Sequence, residues 1–168
     1  MSDIKNEAII NDTIINDTMI NNAINYINKT LQISFEKDII IDPCAGKGEL
    51  INGIDFLARS TFHYDTYSNN IQSNKKIMPL DFLSIDFQQF DKTVLAGLWY
   101  DNVHIISCPP IETVGEYLKK CSEFADTISF ILPKNYLSPI LSKHYLLLSA
   151  ELDETYMLKI WKKKKIID

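Results

Sequence analysis

The chain has 168 residues and a formal net charge of −5 at pH 7, with 46% hydrophobic and 23% charged residues. That length supports a single domain around one buried core, and the composition is that of a globular protein. The acidic balance excludes a uniformly basic, nucleic-acid-gripping surface, and no apolar run reaches the ~18–20 residues of a membrane-spanning helix.

The start of the chain lacks the basic-then-apolar pattern of a secretion signal. Cys44, Cys108 and Cys121 are odd in number and widely spaced, with no C-x-x-C pair. They indicate neither a zinc site nor a disulfide framework. The expected setting is therefore a reducing, intracellular one, cytoplasmic or nuclear, without metal or membrane. His63, His104 and His144 form no ligand spacing. One arginine, Arg59, stands against sixteen lysines, four of them in the run Lys162–Lys165. Such a run is ordinarily a solvated end; contact with phosphates is the sharper alternative.

The whole chain reads as one domain, with residues 1–17 as a loosely ordered extension. From Thr18, the residues Ile20, Ala23, Ile24, Ile27 and Leu31 recur at helical spacing, with Asp17 or Thr18 as the cap. This predicts a helix over 18–31. Asp38 to Asp42 is a short β-branched run ending at Pro43, as expected of a central strand buried on both faces. A helix over 49–58 follows. Further strands are predicted at 61–65, 76–80, 103–107 and 127–132, with a helix over 114–124. A helix over 135–147, broken at Pro139, and a last strand over 156–161 complete the chain, leaving little sequence for a terminal hairpin. Strands alternating with helices imply right-handed crossovers and a mostly parallel sheet, an α/β fold. Ligands of such sheets bind at the carboxyl ends of the strands. The polar and special residues fall there, at 42–48, 65, 81 and 107–110.

Asp42-Pro43-Cys44-Ala45-Gly46-Lys47-Gly48 joins the first strand to a helix. Its glycines allow positive φ and close backbone approach to a ligand. The spacing fits neither a phosphate-binding G-x-x-x-x-G-K-[ST] loop nor a full G-x-G-x-x-G. It resembles motif I of the S-adenosylmethionine-dependent methyltransferases, in the version carried by the amino-methyltransferases. The resemblance covers about residues 18–161 and implies a Rossmann-like fold with S-adenosylmethionine as cofactor. It implies that Asp42, Pro43, Cys44, Ala45, Gly46 and Gly48 form the cofactor loop. Asp65, 23 positions after Asp42, would accept from ribose hydroxyls. Asp81 would accept from the adenine amino group, with Phe82 covering the ring.

Cys108-Pro109-Pro110-Ile111 falls where the amino-methyltransferases carry Asp/Asn/Ser-Pro-Pro followed by an aromatic residue. The resemblance implies that Cys108, Pro109 and Pro110 present the target amine and that Ile111, Lys134 and Tyr136 face the substrate. Two departures stand out. A neutral thiol is a weak acceptor, and isoleucine has no π face for a flipped-out base, a loss of ~1–3 kcal/mol per base. Ser107, one position early, is expected to point the other way. Two readings follow. One is a methyltransferase acting on an amino nitrogen, such as adenine N6 of DNA or RNA. The other is a pseudoenzyme that keeps the fold and serves as subunit to a partner protein. A small-molecule methyltransferase is a weaker third.

Overall fold

A computed structural model describes residues 16–66, 74–93, 95 and 97–165. Most of the extension expected over residues 1–17 lies outside these residues. Seven strands form one sheet in the order β3-β2-β1-β4-β5-β7-β6. They are β1 Ile39–Asp42, β2 Ser60–Asp65, β3 Ile77–Pro79, β4 Val103–Ser107, β5 Thr127–Pro133, β6 His144–Glu151 and β7 Tyr156–Lys163. The first five are parallel, and β7 runs antiparallel to both β5 and β6.

β1 occupies the centre because its residues tolerate burial on both faces: Ile39, Ile40 and Ile41 are all sealed from solvent. Ile40 faces a layer made by α1 (Asp17–Leu31) and α2 (Ile51–Leu57). Ile39 and Ile41 face the opposite layer, which holds α3 (Phe87–Thr93) and α4 (Val114–Cys121). Asn16 caps α1, its side chain accepting from the Met19 amide at 2.9 Å, one residue before the expected cap. Gln32, at φ +52°, ends the helix in the left-handed region.

The stretch after β5 departs from expectation. The predicted helix over 135–147 does not form. Residues 134–143 instead run as an extended strap across the sheet, and 144–151 form β6, so a terminal hairpin is present. Pro139 denies the middle of the stretch a helical N–H, and the run from Tyr145 to Leu148 pairs with β7 instead. The strap covers the side of the sheet carrying Trp161 and Phe130, packing Tyr136 and Leu141 onto that core. Its fastening is Lys159 on β7, a buried lysine whose Nζ donates to the Tyr136 carbonyl at 2.6 Å and to Ser138 Oγ at 2.7 Å. The same ammonium lies 5.8 Å from the centre of the Tyr136 ring. Burial lowers its pKa from the usual lysine value.

Replacing Lys159 by methionine keeps the apolar stem but leaves that carbonyl and that hydroxyl without their donor. The expected cost is ~1–3 kcal/mol. Limited proteolysis followed by mass spectrometry should show cleavage within 134–143 several-fold faster than in the parent, with the first cuts beside Leu137 or Ile140. Unchanged cleavage would show that apolar packing alone holds the strap.

Candidate functional site

The carboxyl ends of β1, β2 and β4 lie side by side, and the turn after β1 is tied to both neighbours. The Ala45 amide donates to the Tyr64 carbonyl at 2.9 Å, and the Gly46 amide to Asp65 Oδ2 at 2.8 Å. Within the turn, the Gly48 amide donates to the Ala45 carbonyl at 2.9 Å. Gly46 sits at φ +58° and Gly48 at φ +90°, values that side chains disfavour. A Cβ on Gly48 would lie 2.6 Å from Asn74 Nδ2, the movable end of a side chain, so conformation is the stronger demand for glycine here.

Asp42 is fully buried (0% exposed). Its Oδ1 accepts from Ser107 Oγ at 2.6 Å and from the Cys44 amide at 3.3 Å. Ser107 therefore turns toward the glycine loop, contrary to a role confined to the far face. Asp42 Oδ2 faces His63 Nδ1 at 3.9 Å. With both oxygens directed into protein, Asp42 acts as a brace for the loop.

Other carboxylates converge on the crevice. Burial and the nearby charges of Asp42 and Asp65 push the Cys44 thiol up to about 12. Burial, Cys44, Asp42 and Glu49 do the same to Cys108, also to about 12. Both thiols are thus protonated at neutral pH. Tyr117 on α4 lies beside Cys44; burial, Cys44, Asp65 and Asp81 push its pKa far above the phenol range. Tyr117 is a site residue that the sequence pattern did not reveal. Its one legible signal was its place on the helix that follows the double proline.

Asp81 stands just beyond β3, where its side chain accepts from the Leu83 amide at 3.2 Å and caps a short 3-10 turn. Phe82 points inward: it is 2% exposed and packs against Tyr64, Phe90 and Phe124. Its ring belongs to the core and is not presented to the crevice. After β4, Pro109 is buried and Cys108 partly so. The Pro110 carbonyl accepts from the Thr113 amide and hydroxyl, at 3.0 and 3.2 Å. No hydrogen bond among the described residues engages the Pro109 carbonyl. Ile111 opens a 3-10 turn and is 40% exposed. Lys134 and Tyr136 lie one strand further, beyond β5. Lys134 pairs with Glu151 at 3.1 Å, and Tyr136 belongs to the strap. The carboxyl ends of β1, β2 and β4 thus bring together Asp42 to Glu49, Asp65, Asp81, Ser107, Cys108 and Tyr117, with Lys134 and Tyr136 outside that group.

Among the described residues no cluster of three or more His, Cys, Asp or Glu could hold a metal ion. No helix among them is long and apolar enough to cross a membrane.

No family model matches the sequence, and no curated protein matches it. Solved structures do. An rRNA methylase from Streptococcus thermophilus aligns with a TM-score of 0.60 at 10% identity, over 87% of this chain and 96% of that one. An rRNA methyltransferase from Streptomyces viridochromogenes aligns at 0.62 and 11% identity, over 84% of each chain. A magnesium protoporphyrin IX methyltransferase from Synechocystis, solved with S-adenosylmethionine bound, aligns at 0.57 and 9% identity, over 86% of this chain and 78% of that one. These alignments place the architecture: this chain has the Rossmann-like fold seen in S-adenosylmethionine-dependent methyltransferases.

Proposed function

We propose that the chain binds S-adenosylmethionine in the crevice beyond β1, β2 and β4 and transfers its methyl group to an amino nitrogen of a nucleic acid, adenine N6 foremost. The observation that carries this reading is the glycine turn at the carboxyl end of β1, with both glycines at positive φ and with Glu49, Asp65 and Asp81 around it. Carboxylate acceptors there suit this cofactor, which brings a sulfonium and an ammonium, both cationic, and ribose hydroxyls and an amine that need acceptors. Two of the structural neighbours described above are rRNA methyltransferases, which favours RNA as the nucleic acid.

Bound, the cofactor would supply an electrophilic methyl group on sulfur. The protein's own contribution is orientation. Asp65, which also holds the Gly46 amide, would accept from ribose hydroxyls, and Asp81 from the adenine amine. The glycine turn lets backbone lie close to the methionine moiety. The rigid Pro109-Pro110 turn aims the Pro109 carbonyl at the target N–H, so the nitrogen lone pair faces the methyl group. Holding nucleophile and electrophile in line supplies the larger share of such a rate enhancement.

A second reading has specific support. The Cys108 thiol, protonated and a weak acceptor, and the aliphatic Ile111 both weaken the grip on a target base. A chain that binds the cofactor without transferring methyl would then act as the subunit of a partner protein.

Calorimetry should show S-adenosylmethionine binding, and Asp65→Ala should weaken it at least ~10-fold, equivalent to ~1.4 kcal/mol. No heat at high protein concentration would remove the proposal. Methyl transfer to adenine-containing RNA and DNA oligonucleotides, followed with labelled cofactor, separates the two readings. The double change Cys108→Asn with Ile111→Tyr should raise transfer at least ~10-fold, about one stacked base's worth of binding. Cofactor binding with no transfer by either protein would favour the subunit reading.

A further inference from the structure

His63 lies on β2 in register with Asp42 on β1, and its ring is buried between two carboxylates. Nε2 is 2.9 Å from Asp55 Oδ1 on α2, and Nδ1 faces Asp42 Oδ2 at 3.9 Å. A neutral imidazole carries one N–H; with a carboxylate before each nitrogen, both positions call for a donor, which only the imidazolium provides. The charged groups facing the ring are Asp42 from β1 and Asp55 from α2. Behind Asp55 stands Lys76, leading into β3, whose Nζ reaches Asp55 Oδ2 at 2.5 Å. Thr61 donates to Asp55 Oδ1 at 2.7 Å. Partial burial pushes the Asp55 carboxyl up, but Lys76, Thr61 and His63 together hold it at about 2. Burial likewise pushes His63 down, and the carboxylates of Asp42 and Asp55 reverse it, leaving its pKa above the usual histidine value.

Asp42 Oδ2 and His63 Nδ1 are both cut off from solvent and make no hydrogen bond. They face each other with a gap about 1 Å longer than a charged hydrogen bond. At 3.9 Å the contact is an ion pair, and it supplies the one compensation that Asp42 Oδ2 has for burial. The other oxygen is already spoken for by Ser107 and the Cys44 amide.

We propose that His63 is a positioning residue for the cofactor crevice: as an imidazolium seated between Asp42 and Asp55, it braces Asp42 against Ser107 and thereby holds the 42–48 turn in its binding form. The structural claim stands by itself; its effect on ligand binding rests on the reading of the crevice as the cofactor site. The sign follows from the raised pKa. The brace is complete below the ordinary histidine value of ~6.5 and is lost as pH rises through the raised value of the folded protein.

NMR titration of the His63 ring tests the brace without any ligand. His104 and His144 are pushed down by burial, so their titrations fall on the other side of the ordinary value. The His63 midpoint should lie above that value and drop in both Asp42→Asn and Asp55→Asn. An unchanged midpoint in Asp42→Asn, or a wild-type midpoint below the ordinary value, would overturn the proposal. Calorimetry with S-adenosylmethionine from about pH 6 to about pH 9, a window spanning the histidine range, tests the consequence. Affinity should hold steady at the acid end and fall at least threefold through the His63 midpoint, and His63→Gln should bind more weakly at the acid end with a flat profile. A flat wild-type profile would overturn the proposal. So would a rise in affinity with pH, since His63 would then merely repel a cationic ligand. No binding at any pH would remove the cofactor reading while the ring titration still decides the brace.

Discussion

A carboxylate sealed where the central strand ends organises this molecule. Asp42 has no access to water, so each of its oxygens must be answered by protein. Ser107 on β4 and the Cys44 amide answer one, and His63 on β2 faces the other. A charge buried in this way binds three adjacent strands at the level where their loops begin. The turn that follows inherits that rigidity, with Ala45 tied to Tyr64 and Gly46 tied to Asp65. Breaking one partner of such a set is costly because the remaining charge has nowhere to turn.

This placement divides the labour among the acids. In the resemblance, the first-strand acid was expected to meet the cofactor. The structure gives it inward partners, and Asp65 likewise answers the Gly46 amide, while Asp81 caps the turn after β3. Burial first, and then the charges of Asp42, Asp65 and Glu49, keep the Cys44 and Cys108 thiols protonated. Thiolate nucleophile chemistry is therefore suppressed at neutral pH, and the protonated Cys108 is at most a weak acceptor. The Pro109 carbonyl is the better acceptor at that end.

Much of the architecture was legible because its signals are local. β1, β4 and β5 are short apolar runs stopped by proline, and each emerged within a residue of its expected bounds. The glycine turn was legible because two glycines one residue apart after a buried strand have few other uses. The failures come from interactions at long range. The residues after 134 have helical character in isolation, yet Lys159, more than twenty positions on, and pairing with β7 claim them for a strap and a strand. The role of Ser107 was misjudged because strand alternation assigns it a face but says nothing of a carboxylate 65 positions away. His63 and Tyr117 carried no spacing signal, since their partners come from other elements. Phe82 was expected over a ligand, yet three neighbouring aromatic rings claim it for the core.

The strap also divides the molecule into regions of unequal cohesion. Around β1 both faces of the sheet are clad in helices, and the strand can be exposed only by separating whole layers. At the other margin, β6 has one neighbouring strand, and the strap beside it is held by the ammonium groups of Lys159 and Lys164 and by two apolar side chains. Openings there need not involve the rest of the chain. Amide protons of the hairpin should exchange with solvent through such partial openings, and those of Ile39 to Ile41 only when the entire fold comes apart. The turn after β1 thus sits in the most fully clad part of the fold, and the most lightly held margin lies several strands away from it.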